Sequence, residues 1–110
     1  MLKEYSEKNL SEMETKKLGG LYMDIFQSIQ EMYESLASRT LVSLRQEDEL
    51  PKFESQLEMI TTALKLRDFK ERLGIMRTIK GILGRVKNKN DRQEYIAREM
   101  LHHFCSNILD

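Results

Sequence analysis

The chain has 110 residues with one proline, no tryptophan and five glycines, and a third of its residues are charged. That length allows one domain with a single core. The composition argues against a β-sandwich or barrel, which would need more turn residues and more β-branched runs. Residues 1–60 hold seven Lys/Arg and twelve Asp/Glu, while residues 61–110 hold eleven and six, so charges of −5 and +5 cancel along the chain. A dedicated nucleic-acid binder would be basic overall; two opposed halves suit pairing within the fold or between copies.

The one cysteine, Cys105, rules out an internal disulfide and suggests a reducing compartment. No apolar run approaches the roughly eighteen residues of a membrane span, and no charged-then-apolar leader is present. The expectation is a soluble, unprocessed protein without membrane contact, cytoplasmic, or nuclear if its source is eukaryotic. Seven methionines supply adaptable core filler.

In chain order, residues 1–10 read as a flexible N-terminal segment. Ser11 and Glu14 stand in the spacing of a capping box, which predicts a short helix from Ser11 to Leu18 that stops at Gly19-Gly20. In LYMDIFQSIQEMYESLASRTLVSLRQ, the residues Leu21, Ile25, Ile29, Met32, Leu36 and Thr40 recur at helical steps, and Tyr22, Phe26 and Tyr33 widen the stripe. QEDELP then reads as a loop, because the residue before Pro51 is pushed away from helical geometry.

From residue 52 to 86 an apolar seam (Phe53, Leu57, Ile60, Leu64, then Phe69, Leu73, Met76, Leu83 with Ile75, Ile79, Ile82 and Val86) predicts one long helix that bends at a glycine. KNKN is a turn, after which Asn90 and Gln93 resemble a capping box and Ile96, Met100, Phe104 and Ile108 share a face of the last helix. The expected fold is therefore all-α: an up-and-down bundle of about four helices, one of them long and central, in a single domain over residues 1–110.

Gly74, Gly81 and Gly84 lie among basic residues in FKERLGIMRTIKGILGRVKNKN. At helical spacing Lys70, Gly74, Arg77 and Gly81 fall on one side, joined by Gly84, away from the apolar half. Each glycine costs about 1 kcal/mol against alanine in a helix interior. Either the helix frays there, or the missing side chains admit the backbone of a partner helix or a phosphate chain. A membrane-surface helix would deprive the fold of its longest apolar face.

Other constellations have plainer readings. Glu99-x-x-His102 has the spacing of a di-iron bundle, but such a site needs a second Glu-x-x-His and two further glutamates, and His102 and His103 are the chain's sole histidines. They read as surface residues near a helix C-terminus, and no metal or cofactor is expected. Cys105 beside His102 or His103 lacks an orienting group and oxyanion donors, and reads as a small core residue. The phosphate-loop pattern and a paired-carboxylate site are absent, so the chain reads as a non-enzyme. Glu47, Asp48 and Glu49 read as a solvated loop.

Three stretches resemble the helical domain of the GINS proteins, most closely its archaeal type: the aromatic-rich LYMDIFQSIQEM; ESQLEMITTALKLRDFKERL, where Glu54, Leu57, Ile60, Leu64, Arg67 and Lys70 carry the signature; and QEYIAREMLHHF, with Glu94, Tyr95, Met100 and Leu101. That family also carries a small β-rich domain, and no segment here reads as strand. The resemblance implies a tetrameric, non-catalytic scaffold that bridges the MCM helicase motor to a companion protein at the replication fork and can touch DNA or primase. On this reading the chain is a homo- or hetero-oligomer. Arg67, Lys70, Arg77, Lys80 and Arg85 would meet an acidic partner or phosphate backbone, and Gly74, Gly81 and Gly84 would give close approach. Leu21, Tyr22, Phe26 and Tyr33 would pack between subunits. The alternative is a small helical nucleic-acid-binding protein using the basic stretch 65–90.

Overall fold

The computed structural model describes residues 3–38 and 41–110, and among them the fold is all-α, with no strand. Five α-helices follow in order: α1 (Glu7–Glu12), α2 (Thr15–Ser38), α3 (Leu41–Lys65), α4 (Phe69–Val86) and α5 (Asp91–Phe104), the last running into a π-helical turn, Cys105–Leu109. Helices α2 and α3 pack along each other as one hairpin and α4 and α5 as a second. The result is flat, 42 × 36 × 20 Å, about two helix diameters thick.

Within the segment expected to be flexible, residues 5–10 make specific contacts. Ser6, not Ser11, caps the first helix: its hydroxyl accepts from the Asn9 N–H at 3.1 Å, and the Asn9 side chain accepts from the Ser6 N–H. Just before it, the Tyr5 N–H donates to Oε1 of the buried Gln56 (3.0 Å) and Gln56 Nε2 donates to the Tyr5 carbonyl (3.3 Å). Leu10 is fully buried beneath.

Gly19-Gly20 does not end a helix; α2 runs through it, and no glycine adopts a positive φ. The reason is packing. A Cβ on Gly19 would stand 3.0 Å from both Cγ1 and Cδ1 of Ile75, so the bare backbone is where α4 comes against α2. Pro51 lies inside α3, and the expected loop is helical. It is exposed, where water can replace the hydrogen bond that its missing N–H denies the preceding turn. Thr40, at the end of the apolar stripe predicted for the second helix, lies outside the described residues.

The expected rod over residues 52 to 86 is two helices. Its break falls at residues 66 to 68, not at a glycine: Asp68 caps α4 by accepting from the Glu71 N–H at 2.9 Å. The GINS-like signature thus crosses a corner, with Glu54 to Leu64 on α3, Arg67 in the turn and Lys70 on α4.

The KNKN turn forms as expected. Asn88 takes a left-handed φ of 63°, which asparagine tolerates, and Asn90 caps α5 by accepting from the Gln93 N–H. The predicted face of α5 is realised: Ile96, Met100, Phe104 and Ile108 are all buried.

Two arginines tie the ends of elements together. Arg67 donates to the carbonyls of Leu10 (2.9 Å) and Ser11 (3.2 Å) at the end of α1 and to the Thr15 hydroxyl (3.1 Å), which itself donates to Glu71. Arg72 donates to the Ile108 carbonyl in the π turn at 2.7 Å.

If the contact of Gly19 with Ile75 sets the approach of α4, Gly19→Leu should lower the unfolding free energy by about 1–3 kcal/mol through overpacking. Urea denaturation followed by circular dichroism measures this, and an unchanged midpoint would refute the assignment.

Candidate functional site: the outer face of helix α4

The sequence FKERLGIMRTIKGILGRV gives α4 two unlike sides. Ile75 and Ile79 are buried, and Met76, Ile82, Leu83 and Val86 are half-buried around them. Lys70, Gly74, Arg77, Gly81, Gly84 and Arg85 are all exposed. At about 100° per residue these six fall within roughly 100° of arc on the side opposite the core. Lys80 is exposed on the flank of this face.

The glycines of this face admit no other element among the described residues. A Cβ at Gly74 or Gly84 would meet nothing within 4 Å, and one at Gly81 would meet only the Arg85 guanidinium, at 3.8 Å. The helix does not fray at them; it is continuous from Phe69 to Val86. Lys70, Arg77, Lys80 and Arg85 make no ion pair or hydrogen bond with any described residue. Across the two hairpins, Arg92 alone forms ion pairs among the described residues, with Glu34 (2.8 Å) and Glu31 (3.8 Å) of α2. The positive charge of the second half is thus largely left facing outwards.

Not every predicted residue belongs to this face. Arg67 is committed to the α1 carbonyls and Thr15 and is not available as a phosphate contact. Tyr22 and Phe26, expected between subunits, are buried in the core of the single chain, with Leu21 packed against it. Tyr33 stays 43% exposed, and its hydroxyl donates to Glu54 at 3.0 Å. The apolar stripe of α2 therefore seals the chain's own hairpins.

The structure adds a pair that the sequence reading misplaced. His103 is half-buried rather than fully exposed: its Nδ1 shares a 2.7 Å hydrogen bond with the Tyr22 hydroxyl, and its ring lies 5.8 Å from Tyr22 and 5.4 Å from Phe26. Burial, then the neighbouring His102, holds its pKa below the ordinary histidine value. Burial, then Cys105, pushes the Tyr22 hydroxyl up, beyond the ordinary phenol range. Partners 81 positions apart leave no local signal. Among the described residues no three His, Cys, Asp or Glu side chains gather to hold a metal ion, and no helix is long and apolar enough to cross a membrane.

No protein-family model, curated protein or solved structure matches the chain.

Because the fold lowers the proton affinity of His103, the unfolded chain takes up its proton first as pH falls. Stability is complete above the ordinary histidine value of about 6.5 and declines as pH drops through it towards the lower folded value. Urea midpoints between pH 7.5 and 5.5 should fall with pH, and His103→Gln should flatten that slope. An equally steep slope in the variant would remove His103 as its source.

Proposed function

We propose that the chain is a non-catalytic docking module of an oligomeric assembly, meeting an acidic partner through the outer face of α4. One observation carries this: Lys70, Arg77 and Arg85 stand without a partner among the described residues beside glycines that no other element covers. Gly74 and Gly81, within the helix, cost about 1 kcal/mol each and Gly84, in its last turn, costs less; packing among the described residues gives no return for them. A bare backbone flanked by cations lets another macromolecule come close, while the charges favour an acidic one and speed its encounter. The GINS-like stretches suggest the setting, a scaffold among replicative helicase components at the fork.

A second reading uses the same face on DNA, and the unpaired cations favour it too. Affinity for duplex DNA, measured against salt, separates the two. A direct binder loses affinity steeply as salt rises through counterion release; a protein-docking module binds DNA weakly throughout. For the first reading, light scattering should give a dimer or larger assembly, and Lys70→Glu with Arg77→Glu should weaken association at least about tenfold, or 1.4 kcal/mol. A monomer at every concentration, unaffected by charge reversal, would rule out the oligomeric form.

A further inference from the structure

A cleft of about 430 Å³ lies between α2, α3 and the end of α5, well away from the outer face of α4. Its floor includes Ile29 and Leu57, and one wall is a single face of α3 on which Glu58 and Lys65 stand two turns apart. Opposite are His103 and Asn107. The volume is within the range of small-molecule sites, and the lining is more polar than apolar, which suits a charged ligand.

Two of the polar groups here, on His103 and Asn107, are held in place without being used up. Tyr22 engages His103 through Nδ1, leaving Nε2 with no partner among the described residues. Asn107 donates from Nδ2 to the His103 carbonyl at 2.9 Å, so its Oδ1 is free to accept. Asn107 sits in the π-helical turn, a rare geometry that recurs at functional sites. The Glu58 carboxylate and the Lys65 ammonium make no ion pair or hydrogen bond through their charged groups with any described residue. A carboxylate, an ammonium, an imidazole nitrogen and an amide oxygen therefore line one cleft without partners.

We propose that this cleft binds a small zwitterion with an apolar side chain, of the chemical class of a free α-amino acid. The ligand ammonium would meet Glu58 and the Asn107 Oδ1, and its carboxylate would meet Lys65. The side chain would lie on Ile29 and Leu57. The Nε2 of His103 suits either end: it donates to the carboxylate when Nδ1 accepts from Tyr22, and accepts from the ammonium when Nδ1 carries the proton. A ligand with one charge would engage Glu58 or Lys65 but not both, so it should bind more weakly than the zwitterion.

The test uses the full chain and three probes: L-leucine, isoamylamine, which lacks the carboxylate, and 4-methylpentanoate, which lacks the ammonium. Binding is read from the His103 ring resonances by NMR and from calorimetry. L-leucine should saturate a His103 shift, each half-molecule should bind at least tenfold more weakly, and Glu58→Gln and Lys65→Met should each weaken L-leucine at least tenfold. Both substitutions are at exposed positions, so unfolding would not obscure the result. No saturable shift with L-leucine, equal binding of either half-molecule, or undiminished binding in the variants would overturn the assignment. None of these outcomes bears on the α4 face, since neither Lys70 nor Arg77 takes part.

Discussion

The arrangement of the two hairpins depends on the burial of Tyr22. Its ring is fully enclosed on α2, 6.1 Å from Phe26 and edge-on to Phe104 at 5.6 Å, while its hydroxyl reaches His103 and, at 3.4 Å, the Met100 carbonyl. A phenol in an apolar core needs such partners, because an unpaired buried hydroxyl is costly. Tyr22 thereby fixes where α5 crosses α2, and Ile75 beside Gly19 fixes α4. With those two contacts made, the inner side of α4 is used and its outer side is left without a covering element.

The charge separation along the chain follows from that geometry. In this flat, two-layered arrangement the hairpins meet mainly through apolar side chains, and Arg92 with Glu31 and Glu34 is the one ion-paired link between them among the described residues. The same flatness leaves the cleft beside His103 open on its polar rim. One construction thus produces two separate surfaces, a basic helix face and a dipolar pocket.

Local patterns in the sequence announced what is local in the fold. The spacing of Ile96, Met100, Phe104 and Ile108 located the buried face of α5, and the apolar and basic sides of α4 could be told apart by helical geometry alone. The corner between α3 and α4 was legible but overlooked: Asp68 and Glu71 have the spacing of a helix start, and their apolar neighbours kept the seam running through it. Gly19 was misread because a glycine that ends a helix and one that admits a neighbouring side chain look the same in one dimension. Tyr22 and Phe26 were assigned to a partner's surface because periodicity gives a stripe's direction but not what covers it. Gln56 with Tyr5, Arg67 with Leu10 and Tyr22 with His103 join residues 51 to 81 positions apart, beyond the reach of any local pattern.

The central claim is that the glycines of α4 are kept for what approaches from outside and contribute nothing to the chain's own packing. Replacing Gly74, Gly81 and Gly84 together by alanine tests it, with unfolding free energy and solution mass measured on the same sample. Their surroundings are open, so the triple variant should be more stable by about 1.5–3 kcal/mol while losing association. A variant that is no more stable, or one that is more stable and associates as before, would contradict the account.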